Sequence, residues 1–99
     1  MNIEKLIKNG WKECAKNERF DQFDRLFIKK FKHPLNNIIS DEIQLELRMW
    51  NPLNNGKVSV PEGWELFGTI DNIRITMDIN ETILAESIRD MMRMFKATY

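Results

Sequence analysis

The sequence predicts an α+β fold. It comprises an N-terminal helical region (two helices or one bent helix), an antiparallel three- to four-stranded meander and a C-terminal helix, packed as a two-layer sandwich. Three observations carry this reading. Apolar residues in the first third recur at three- and four-residue spacing, as on a helix. Between 43 and 79 they alternate with polar residues, as on half-buried strands. After Asn80 the helical period returns.

Ile3, Ile7, Trp11 and Cys14, with Leu6 beside them, form one apolar stripe, and Phe20, Phe23, Phe27 and Phe31 form a second. On one straight helix the two stripes would point about 140° apart, so a single rod would not press both against one core. A break is therefore expected near 16–18, with Asn17 capping a second helix. His33-Pro34 should end that helix, because a residue before proline is steered away from helical geometry. Over 43–50, Ile43, Leu45, Leu47 and Met49 alternate with Gln44, Glu46 and Arg48. A helix capped by Ser40, with Asp41 and Glu42 in its first turn, is the rival. On a helical wheel these apolar residues scatter, so a strand is expected.

Asn51-Pro52-Leu53-Asn54-Asn55-Gly56 reads as a loop, 57–60 as a short strand and Pro61-Glu62-Gly63 as a turn. Residues 64–70 and 73–79 read as a hairpin about Asp71-Asn72, with Ile73, Ile75, Met77 and Ile79 on one face. Asn80 caps a final helix over 81–96, whose core stripe is Leu84, Ile88, Met91 and Phe95.

Ninety-nine residues suit a single domain spanning 1–99, and 42% hydrophobic with 30% charged residues is a globular composition. The lone cysteine, Cys14, excludes an intrachain disulfide and favours a reducing compartment. The first residues offer no unbroken apolar run for a signal peptide, and no stretch approaches the roughly 18 apolar residues of a membrane helix. A cytoplasmic protein is expected. Heavy use of Asn, Lys and Ile, with Ala only at 15, 85 and 97, points to an AT-rich genome, bacterial or phage.

Chemistry is scarce. Catalysis needs a base or nucleophile held by partners. His33 stands beside a loop proline and reads as a surface residue, while Cys14 lies on an apolar stripe. One His and one Cys do not close a zinc site, and the acid pairs Asp21/Asp24 and Asp78/Glu81 lack the spacing of a cation loop. Gly10, Gly56, Gly63 and Gly68 are isolated, with no phosphate loop among them. No catalytic residue, metal or cofactor is expected, and the chain reads as a non-enzyme.

Two surfaces stand out instead. Ile83, Leu84, Ile88, Met91, Met92, Met94 and Phe95 span about half the circumference of the final helix, wider than one core contact needs. Adaptable methionines suit a partner surface, and Trp50 beside Asn51-Pro52 would make an interface anchor. Trp50, Met91, Met92, Met94 and Phe95 are therefore the expected partner-binding residues.

The second surface is basic. Net charge is zero, but residues 1–33 hold nine Lys/Arg against five Asp/Glu. Lys5, Lys8, Lys12, Lys16 and Arg19 recur at helical spacing and would share a phosphate-tracking face if the first helix ran that far. The leading expectation is thus an interaction module: a regulator, adaptor or inhibitor of another macromolecule, in keeping with a phage-encoded protein. Another protein is the expected partner, with a homodimer through the last helix as one form of it. Nucleic-acid binding by the basic face is the alternative, and a small ligand between helices and sheet the second alternative.

Overall fold

Helix α1 (Ile3–Lys8) starts where the Asn2 side chain accepts the Lys5 amide at 3.1 Å. It stops after six residues at Asn9-Gly10, with Gly10 at φ +94°. The Gly10 amide donates to the Ile7 carbonyl at 3.1 Å and the Trp11 amide to the Leu6 carbonyl at 3.0 Å. This pair of bonds is the Schellman ending, which favours a glycine at the left-handed position and an apolar contact across the stop. Leu6 and Trp11 supply that contact, both 3% exposed. Ile7 is left facing solvent.

A computed structural model describes residues 1–18, 23–33, 42–50, 63–70 and 73–97. After α1 come β1 (Lys12–Glu13), a 3-10 turn (Lys16–Glu18), β2 (Arg25–Lys32), β3 (Glu42–Trp50), β4 (Gly63–Ile70), β5 (Ile73–Ile79) and α2 (Leu84–Ala97). The strands form one antiparallel sheet in the order β1-β2-β3-β4-β5, so each described strand lies beside its neighbour in sequence.

The α+β two-layer prediction holds, with five strands in place of three or four. The N-terminal region differs in detail. The break expected at 16–18 is the 3-10 turn, but the second helix expected to follow it is strand β2 over Arg25–Lys32. Phe27 and Phe31 lie four apart, a spacing that keeps two side chains on one face of a helix or of a strand. Pairing to β3 decides the matter: Phe27 stands opposite Leu47 and Phe31 opposite Ile43, in an unbroken eight-residue register. Residues 43–50 are strand, as the alternation predicts. The loop at 51–56, the strand at 57–60 and the turn at Asp71-Asn72 lie outside the described residues.

One sheet face carries Phe27, Leu47, Leu66 and Met77 in a row across four strands, with Lys29, Leu45, Gly68 and Ile75 in the next. Helix α2 packs on this face. Asn80 Oδ1 accepts the Ile83 amide at 3.1 Å, and Met91 and Phe95 are fully buried against the sheet. A Cβ on Gly68 would sit 2.5 Å from Met91 Sδ, 2.8 Å from Phe95 Cε2 and 3.0 Å from Leu45 Cδ2. Only glycine lets the helix come this close.

The opposite face holds a charged and aromatic cluster. The Arg48 guanidinium lies 3.8 Å from the Phe67 ring centroid and 4.6 Å from that of Phe23. It also pairs with Glu46 at 2.8 Å and Glu65 at 3.6 Å. At the end of β2 nearest β1, Arg25 meets Glu13 through two 2.8 Å hydrogen bonds, which raise its pKa above the ordinary arginine value.

Candidate functional site

Among the described residues the sheet is wider than its helical layer. Helix α2 lies over β4 and β5, and α1 covers only part of the remainder. Between them runs a cleft of two adjoining lobes, each of about 300 Å³. In the first, Leu6, Trp11 and Phe31 form the apolar floor, with Leu84, Ala85 and Ile88 of α2 as one wall and Lys5 of α1 with the capping residues Asn2 and Asn9 as the other. The second continues past the end of α1, between Phe31 and the Ile88, Arg89, Met92, Arg93 and Lys96 side of α2. From Leu84 to Lys96 the α2 wall is about 18 Å long at helical rise.

Local forces hold the cleft open. The Asn2 amide donates to Glu81 Oε1 at 3.1 Å, tying the start of α1 to the approach of α2. The Trp11 and Phe31 rings meet edge to face with centroids 6.4 Å apart. Lys29 points to the core face, yet its Nζ reaches the Asn9 carbonyl at 2.6 Å and lies 4.9 Å from the Phe31 ring centroid. Asn9 is the C-cap of α1, so the ammonium sits at the negative end of that helix.

The electrostatics are one-sided. Arg89, Arg93 and Lys96 border the second lobe and no carboxylate lines it among the described residues. Arg93 meets Asp90 at 3.6 Å in an exposed pair, while Arg89 and Lys96 form no ion pair with a described residue. An elongated slot with an apolar floor and a cationic border suits an anionic amphipathic chain.

The structure separates the expected partner-binding residues. Met91 and Phe95 are 0% exposed and belong to the core, so neither is available to a partner. Met92 lines the cleft. Met94, 46% exposed, lies on the other flank of α2, and Ile83, 37% exposed, stands in the turn just before the helix. Trp50 belongs to the opposite sheet face, in a T-shaped contact with Phe23 at 4.4 Å between centroids, and does not join the methionines.

The basic stripe is dispersed as well, because α1 ends at Lys8. Lys5 borders the cleft, Lys8 closes α1, Lys12 is on β1 and Lys16 lies in the 3-10 turn, 3.8 Å from Asp24. Arg19 lies outside the described residues. Lys29 and the cations of α2 carry no mark in the apolar pattern of the sequence, and Phe31 reads there as core alone. The i, i+4, i+7 spacing of Arg89, Arg93 and Lys96 was the available signal.

Catalytic pairing of Cys14 with His33 within the chain is excluded by distance. The Cys14 amide bonds the Leu26 carbonyl at 2.9 Å, and His33 follows seven residues later, about 23 Å away along a strand. His33 is 1% exposed, a buried residue and not the surface histidine expected. No group of three or more metal-ligating side chains occurs among the described residues. None of their helices is long and apolar enough to cross a membrane. Compared with known proteins, the chain matches no family model, no curated protein and no solved structure.

Proposed function

We propose that this chain is a non-enzymatic interaction module that grips an acidic, amphipathic segment of another protein in the cleft beside α2, acting as a regulator, adaptor or inhibitor. One observation carries the reading: the second lobe combines an apolar floor of Phe31, Ile88 and Met92 with three cations and no described acid. The floor would take leucine-like side chains from one face of the guest, and Arg89, Arg93 and Lys96 would meet its carboxylates. Reliance on a single cysteine supports a reducing, cytoplasmic setting.

Fluorescence polarisation tests the reading. The probe is a labelled peptide of about four helical turns, with leucine along one face and glutamate elsewhere. Saturable binding is expected, weakening as salt rises. Pairing Arg89→Glu with Arg93→Glu should weaken it at least tenfold, and a peptide carrying lysine for glutamate should not bind. Methyl resonances of Ile88 and Met92 should shift on titration. Failure of the acidic peptide, or tighter binding of a single-stranded oligonucleotide of equal charge, overturns the proposal; the second result would restore the nucleic-acid reading.

A further inference from the structure

The two edges of the sheet are unequal. Strand β1, at one edge, is only two residues long; β5, at the other, runs for seven regular residues with neither proline nor bulge. Within the described residues nothing pairs with its outer side. Long open edges invite pairing with another strand unless they are blunted.

The outward hydrogen-bonding groups of β5 follow from its register. A two-residue connection is closed by a hydrogen-bonded pair, here Ile70 and Ile73. Bonded and non-bonded pairs then alternate, so Ile73, Ile75, Met77 and Ile79 bond β4, whereas Arg74, Thr76 and Asp78 turn their amides and carbonyls outward. The same alternation, carried across the sheet, directs Leu26 toward β1, where its carbonyl accepts the Cys14 amide.

We infer that two copies of the chain join through β5, antiparallel about a two-fold axis at Thr76, to make one ten-stranded sheet. In that register all seven residues pair. Arg74 of each copy lies opposite Asp78 of the other, both exposed on the same face, and Ile75 lies opposite Met77. About six backbone hydrogen bonds form between the copies. Shifting the axis to residue 74 or 78 sets arginine against arginine or aspartate against aspartate, so the charges select the centre.

The helical layer fits the same axis. Strands are about 4.8 Å apart, so two α2 helices, each astride β4 and β5, would lie roughly 10 Å apart, within normal helix-packing distance. Their facing flanks bear Met94, with Ile83 in the turn just before the helix, and neither residue lines the cleft. This join uses the side of α2 opposite the cleft and does not depend on what the cleft binds.

Light scattering and sedimentation of the full chain test the inference, with wild type expected at twice the chain mass. Arg74→Asp or Asp78→Arg alone should raise the dimer dissociation constant at least tenfold. The two together restore opposite charges across the axis and should recover most of the loss. Thr76→Pro removes an amide that β4 does not use and should yield a folded monomer, checked by circular dichroism. Spin labels on Cys14, outside the contact, should lie about 45 Å apart, since β1 and its mate are nine strand spacings apart with a small offset along the strands. A wild-type monomer at ~100 μM, a double variant no better than the singles, or labels closer than about 30 Å overturns the inference. A folded monomer that still binds the acidic peptide would leave the cleft proposal intact.

Discussion

At Gly68 the absent side chain is the structural feature. Met91, Phe95 and Leu45 converge on the space a Cβ would occupy, the nearest at 2.5 Å, and none of the three is an easily displaced surface group. Gly68→Ala should therefore lift α2 from the sheet and cost about 1–3 kcal/mol, the usual range for overpacking a tight core. Thermal unfolding should show a midpoint lower by roughly 5–15 °C; an unchanged midpoint would show that α2 shifts freely. Lys29 is the complementary case, a charge on the core face made acceptable by its long stem and by the Asn9 carbonyl 20 residues away.

At the scale of elements, β2 reads as a helix in the sequence because Phe20, Phe23, Phe27 and Phe31 recur at three- and four-residue spacing. A strand through Phe27 and Phe31 must point Lys29 the same way, which a local reading penalises, whereas a helix would carry it toward solvent. The residue that relieves the penalty is Asn9, the C-cap of α1, and cannot be inferred from local spacing. Strands β3, β4 and β5 were legible because their alternation requires no distant partner, and α2 was legible from its cap and stripe. The end of α1 was written in Asn9-Gly10, but the regular spacing of Ile7 and Trp11 ran across it and concealed the stop. Gly10→Ala tests that stop. At φ +94° a side chain is strained, so a loss of about 1 kcal/mol is expected in denaturant titration. Nuclear magnetic resonance should place the disturbance at Leu6 and Trp11.

At the largest scale, the sequence disclosed the layers but not how incompletely the described helices cover the sheet. The width of the methionine-rich stripe on α2 was visible, and it divides three ways: Met91 and Phe95 enter the core, Met92 borders the cleft and Met94 faces away from it. That division depends on where α2 sits across the strands, which periodicity along one helix does not encode. Gly68 then has a consequence for motion. A helix whose two largest core side chains straddle a bare stretch of strand neither slides nor rolls without first lifting clear. Amide hydrogen exchange should accordingly find residues 91–95 and strand β4 opening as one cooperative unit, at nearly the full free energy of unfolding. The six-residue α1 should open earlier and independently, and exchange at 91–95 as fast as in α1 would show that α2 moves without the sheet.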